Sequence, residues 1–345
     1  MKPLSAADVF LRPLSGQAIP DYKKTAVLFP PNKAGHLWYT GFVKHWSTFQ
    51  REAANFWTSQ PNQHAFNELK TRPVGPPADM DIEYLEVDGQ ELLEGFFVRE
   101  LLDLTKLLTN RLKYKTKIDT LGYQGDVTFE LKDEELDVED RAPSFTLKMV
   151  GTPFAGPKLV GYVECLGGRT GALSWAIDEA KKNTWGSLRC VLGKSYTSLL
   201  PTACQPSASA TTSDLYLFWR GFLTHATGNI VHHMIASDTH YGLIISVDEV
   251  MFLHLDVLTG CEYDTPDNEP IETMTTPEVY YSDPIKFTDV YNETGKVSVT
   301  VRQALWYIMQ CAGKGESGDF HKSEEALVYF ATTAAGVRWV VRRPR

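Results

Sequence analysis

The chain has no CxxC pair: its five cysteines, Cys165, Cys190, Cys204, Cys261 and Cys311, are odd in number and far apart. That pattern excludes a Cys-based zinc site and a disulfide framework, and it leaves reduced thiols. No run approaches the roughly 20 apolar residues of a membrane-spanning helix, and residues 1–10 hold no apolar stretch of the kind that directs secretion. The expected location is the cytoplasm or the nucleus, with no membrane partner. An overall basic excess is also missing, since 34 Lys and Arg against 43 Asp and Glu give a formal charge of −9, whereas generic phosphate neutralisation needs a surplus of Lys and Arg. The C-terminal arginines Arg338, Arg342, Arg343 and Arg345 read as a solvated tail. There is no GxxxxGK[ST] phosphate loop, no GxSxG elbow and no internal repeat, which removes the commonest nucleotide and acyl-transfer signatures.

What is present is an ordinary globular composition with 12% aromatic residues over 345 positions, enough for one large domain or two ordinary ones with a sizeable core. Residues 1–80 read as a helical and aromatic arm. Trp38, Phe42, Trp46, Phe49, Ala53 and Trp57 recur at helical spacing, predicting a helix from about Leu37 to Trp57 whose stripe packs as core or cap. The closely spaced prolines of Arg72–Pro77 end the arm.

Residues 81–260 read as an α/β core. Leu92, Phe96, Leu101, Leu104, Leu107, Leu108 and Leu112 mark an amphipathic helix within 91–117. Three strand-like runs follow, Asp126–Leu131, Ser144–Val150 and Lys158–Glu164, and then a helix from Ala172 to about Trp185. After the low-complexity stretch 202–212, a long helix capped by Ser213 or Asp214 reaches about Ala236. A hairpin pairing 243–247 with Val250–Leu255 comes next, with Asp248 and Glu249 as its polar tip. Residues 261–345 read as an acidic, Pro-interrupted surface loop over 261–286, a helix Val299–Cys311 and a terminal segment, loop and helices packing on the core.

The order helix, three strands, helix, long helix, hairpin resembles the core of the PD-(D/E)XK nuclease superfamily, especially nuclease-like domains of fungal proteins. The resemblance spans Leu92 to Asp256 and rests on Pro143-Ser144 opening one strand, on Gly161 to Leu166 ending the next, and on the closing run Tyr241 to Asp256. It implies an α/β fold with a central mixed sheet flanked by helices, a restriction-endonuclease-like core with helical N- and C-terminal elaborations. In active members a Pro-Asp and a Glu-x-Lys bind Mg²⁺ and activate water, the cation screening phosphate charge and lowering the pKa of its water. This chain carries Pro143-Ser144 and Glu164-Cys165-Leu166 at those places. A serine is a weak ligand for a hard cation and a leucine carries no charge, so only Glu164 of the motif survives.

The resemblance therefore implies a degenerate nuclease that binds a protein or a nucleic acid. The candidate site is Glu164 and Ser144, with Asp126 or Asp140 able to replace the missing carboxylate beside Glu164 and Lys148 or Lys158 the missing lysine. Mg²⁺ would be the cofactor if the site is active. Alternatives are an enzyme acting on a small organic molecule in the same cleft, which suits the aromatic content and acidic charge, and a true nuclease with migrated ligands. Arg169, after Gly167-Gly168 and before a helix, is a candidate for holding a phosphate, against the plainer reading of a strand-to-helix turn. Glu100 reads as a helix-surface carboxylate, and His225, His232 and His233 as structural histidines, because no pair has the spacing of three or four that helical metal ligands use.

Overall fold

A computed structural model of the chain describes residues 4–14, 38–39, 42–59, 70–71, 98–103, 105–106, 127–131, 145–149, 159–163, 171–182, 230–231, 233–235, 237, 239–261, 274–314, 327–333 and 336–342. In chain order these form β1 (Leu4–Ser5), α1 (Ala6–Phe10), β2 (Trp38–Tyr39), β3 (Phe42–His45), α2 (Phe49–Thr58) and β4 (Lys70–Thr71). After a π-helical turn, Val98–Asp103, come β5 (Val127–Leu131), β6 (Phe145–Met149), β7 (Leu159–Val163), α3 (Ala172–Lys182), β8 (Tyr241–Ile245) and β9 (Glu249–Cys261). The last elements are β10 (Met274–Tyr281), β11 (Ile285–Lys286), α4 (Val301–Lys314), β12 (Leu327–Thr333) and β13 (Gly336–Arg342).

Strands β5 to β10 lie side by side in sequence order, and the hydrogen-bonded path continues through β12 to β13. The sheet is mixed. β5, β6 and β7 form an antiparallel meander, β8 runs parallel to β7, and β9 returns antiparallel to β8. A parallel neighbour needs a crossover connection, and α3 and the helical residues 230–235 lie on the one between β7 and β8.

Alternation along the strands gives the sheet two apolar faces. Leu243, Ile245, Val250 and Phe252 join Leu147 and Leu159 on one face, in a core shared with Phe49 and Ala53 of α2 and with Leu305, Ile308 and Met309 of α4. The ring of Phe49 stacks on that of Phe252 at 5.0 Å. The opposite face meets the crossover: a Cβ on Gly242 would lie 2.8 Å from Met234 Sδ and 3.1 Å from the tip of Ile230.

The structure departs from the sequence expectation in three places. The span 37–57 is not one helix: Phe42–His45 pairs in parallel with β10 and only Phe49 onwards is helical. Residues 38, 42 and 46 are separated by even numbers and so fit a strand as well as a helix. The span 261–286 is not one surface loop, since β9 runs on to Cys261 and β10 pairs with β9 along most of its length despite Pro277. Leu327–Thr333 and Gly336–Arg342 pair as two antiparallel strands, where the sequence gives only a terminal segment. The strands at 127–131, 145–149 and 159–163, the hairpin 241–261 and the helices at 172 and 301 lie where the pattern places them. The linker 72–77 and the stretch 202–212 lie outside the described residues.

The N-terminal segment is built into the core. Ser5 and Asp8 form a capping box at the start of α1, and the wholly buried Phe10 sits against Trp57 and Trp306. Thr300 accepts from the Gln303 N–H while Gln303 Oε1 accepts from the Thr300 N–H, a second capping box, and the Thr300 hydroxyl donates to the Phe10 carbonyl at 2.6 Å. Arg302, 5% exposed, donates to the Arg12 carbonyl at 2.8 Å. No helix among the described residues is long and apolar enough to cross a membrane.

Gly161 and Phe145 are opposite each other in the β6–β7 pair, and a Cβ at 161 would come within 2.0 Å of the Phe145 ring. Gly161→Ala should therefore cost about 1–3 kcal/mol through overpacking. Adding Phe145→Leu to that variant should restore part of the loss in urea denaturation. A variant as stable as the parent would contradict this packing.

Candidate functional site

The end of β7 is where the sequence places its candidate residues. Val163 pairs with Ile245, and Ile245 pairs with Val250 across the β8–β9 turn, so the last rung of β7 adjoins Ser246 to Glu249. Glu164, Ser144, Asp126 and Arg169 lie outside the described residues, as do Asp140, Lys158, His225 and His232. The strands that flank these positions are described. Phe145, at the start of β6, pairs with Gly161, whereas Val127, at the start of β5, pairs with Met149. Four residues of β6 separate those rungs, about 14 Å along the strand.

The register thus puts the start of β5 and the end of β7 at opposite ends of the sheet. Lys148, half-buried, pairs with Thr128 at the β5-start end. Lys148 therefore stands on a rung near the start of β5 and not at the end of β7, and Asp126 lies outside the described residues. Among the described residues no three His, Cys, Asp or Glu side chains group as a metal ion requires. Glu100 lies in the π-helical turn, and His233 is half-buried among the helical residues 230–235.

The carboxylates beside the last rung of β7 are engaged elsewhere. The Gly171 N–H donates to both oxygens of Asp248, at 2.9 and 3.0 Å. Glu249, wholly buried, accepts from the Ser174 N–H at 2.9 Å and from the Ser174 hydroxyl at 2.5 Å. The turn between β8 and β9 is therefore not simply a polar tip in solvent: it supplies the acceptors for the first turn of α3, whose N–H groups have no partner within their own helix. Gly171 takes φ +66°, a left-handed conformation that glycine adopts without a steric penalty. The Gly171 and Ser174 N–H groups are thus already hydrogen-bonded to carboxylates. Burial, and then the charge of Glu249, push the Asp248 carboxyl above its usual range, against the opposing hydrogen bond from Gly171.

A second constellation stands at the other end of the sheet. Tyr241, His254 and Tyr280 face one another across β8, β9 and β10. The Tyr241 ring stacks on His254 at 5.0 Å, and Trp46 lies 5.4 Å from the same imidazole. Above them, Glu52 Oε2 accepts from Trp46 Nε1–H at 3.2 Å and from the Tyr307 hydroxyl at 3.0 Å. Tyr307 is also hydrogen-bonded with the side chain of Cys311, one turn along α4. All of these side chains are half-buried.

Burial raises the Tyr241 hydroxyl, with the nearby Cys311, Asp256 and Glu52 acting in the same direction, and burial followed by Cys311 and Glu52 raises that of Tyr307. Burial lowers His254 and outweighs the attraction of Asp256. Both phenols are thus held as donors and the imidazole as a neutral ring. Titratable groups displaced by burial and clustered at a rim are the pattern that functional sites produce. Sequence reasoning missed this group, because its members come from five separate elements and the 241–254 and 254–280 pairings are long-range.

Compared with protein-family models, with curated proteins and with solved structures, the chain has no significant match.

Asp248 and Glu249 should differ on mutation. Glu249→Ala leaves the Ser174 N–H and hydroxyl buried without acceptors and should cost about 2–3 kcal/mol. Asp248→Asn keeps an acceptor for Gly171 and should stay within about 1 kcal/mol of the parent near neutral pH. Because the folded Asp248 carboxyl lies above its unfolded value, its contribution favours folding below the ordinary carboxylate range and declines as pH rises through the folded value. The stability difference should therefore move in favour of Asp248→Asn as pH rises above the ordinary carboxylate range in urea titrations. The opposite trend would contradict a raised carboxyl.

Proposed function

We propose that this chain is a binding module on a nuclease-like α/β scaffold whose metal-dependent chemistry has been lost, and that it acts inside the cell. The supporting order is a helical stretch at 98–106, an antiparallel meander, α3, the helical residues 230–235, and a hairpin whose first strand runs parallel to β7. These described elements come in the order that the PD-(D/E)XK resemblance implies, with most of 91–117 and 213–236 outside the described residues. The observation that carries the loss of chemistry is the commitment of Asp248 and Glu249 to the Gly171 and Ser174 N–H groups. The carboxylates next to the end of β7 serve a helix terminus, while Ser144 and Leu166 replace an acid and a lysine of the motif.

Of the two partner classes, protein suits a chain of charge −9 better than a polyanion does, since a nucleic acid would be repelled over most of the surface. A second reading, a small organic ligand, is favoured by one observation: the half-buried Glu52 carboxylate held by Trp46 and Tyr307 beside the Trp46, Tyr241, His254 and Tyr280 rings.

Incubation of the protein with single- and double-stranded DNA and RNA in Mg²⁺ or Mn²⁺ should give no cleavage above a protein-free control. Robust cleavage abolished by Glu164→Ala would overturn the reading.

A further inference from the structure

The rim around Glu52 holds a charge that its own neighbours do not neutralise. Glu52, half-buried on α2, receives both of its hydrogen bonds from neutral donors, the indole of Trp46 and the phenol of Tyr307. Both fall on Oε2, and Oε1 is not among the sealed side-chain atoms. Among the described residues, Glu52 has no ion pair with a lysine or arginine. Lys44 pairs with Tyr280 and so is the next position of the same cross-strand row, two strands beyond His254.

The surroundings are ring surfaces. Trp46, Tyr241 and Tyr280 each lie 5.0–5.8 Å from the His254 ring, and Phe49 and Tyr307 continue from Trp46 towards α4. A carboxylate fixed by two donors and set in aromatic rings meets the requirements of an organic cation. The carboxylate pairs with the charge, and the ring faces take the hydrocarbon or planar part that a hydrated metal ion lacks. A divalent metal would need several oxygen ligands, and no group of three candidate ligands exists among the described residues.

We propose that this rim binds an alkylammonium or guanidinium group, with Glu52 as its counter-ion and Trp46 and Tyr241 as its apolar walls. The group belongs either to a small free ligand or to a lysine or arginine side chain of a partner. The site is at the end of the sheet away from Val163, so it stands whether or not the nuclease-like reading does.

Isothermal titration calorimetry of the full chain with arginine ethyl ester, with a short Arg-containing peptide and with sodium chloride tests this. Saturable binding of the ester or of the peptide is expected, binding of the peptide alone indicating a protein partner. Glu52→Gln keeps acceptors for Trp46 and Tyr307 and should weaken binding at least about tenfold with an unchanged thermal transition. Tyr241→Phe keeps the ring and should change it less than about threefold. No saturable heat from either cationic probe, equal heat from sodium chloride, or unchanged affinity in Glu52→Gln would overturn the proposal.

Discussion

A helix start facing the interior exposes N–H groups that must find acceptors, and in this protein the acceptors of α3 come from the β8–β9 turn, Asp248 for Gly171 and Glu249 for Ser174. Glu249 is wholly buried. An unpaired carboxylate there would be very costly, whereas one facing a helix N-terminus is stabilised by both hydrogen bonds and the helix dipole. The bond ties the element that follows β7 to the turn that follows β8, and β7 and β8 are the parallel neighbours of the sheet. The crossover, the parallel pair and the hairpin are thereby locked to one another at the end where the sequence places Glu164.

The other end of the sheet is held differently. There α2 and α4 meet the sheet through Phe49, Trp46 and Tyr307, with Glu52 receiving two hydrogen bonds at the junction. The N-terminal segment is fixed to α4 by Thr300 and Arg302, which bond to carbonyls at the end of α1. The arm is consequently part of the wall of the Glu52 rim and not an appendage. One end of the sheet uses its carboxylates to complete backbone hydrogen bonding, and the other keeps a carboxylate between rings with one oxygen unspent.

Legibility in the sequence followed the range of the interactions. Strands β5 to β9 and the helices at 172 and 301 were readable because alternation and helical periodicity are local. The capping boxes Ser5–Asp8 and Thr300–Gln303 were also present as spacing, since a serine or threonine followed three residues later by Asp or Gln is a helix-start signal. The strand β3 was hidden by the even spacing of Trp38, Phe42 and Trp46. β10 was hidden by Pro277 and its acidic surroundings, which read as loop until the pairing with β9 supplies what local propensity lacks. Asp248 and Glu249 look like a hairpin tip, and only the placement of α3 turns them into buried acceptors. Glu52, Tyr241, His254 and Tyr307 share no motif, and their meeting depends on the packing of α2 and α4 on the sheet.

The most direct test of the account is native-state hydrogen exchange at the Gly171 and Ser174 amides, compared with the amides of the β8–β9 ladder. If the turn carboxylates hold the start of α3, both amides should be protected and should open with the same free energy as the ladder. Exchange at the rate of an exposed helix terminus, with the ladder still protected, would contradict the claim that this bond closes the end of the sheet.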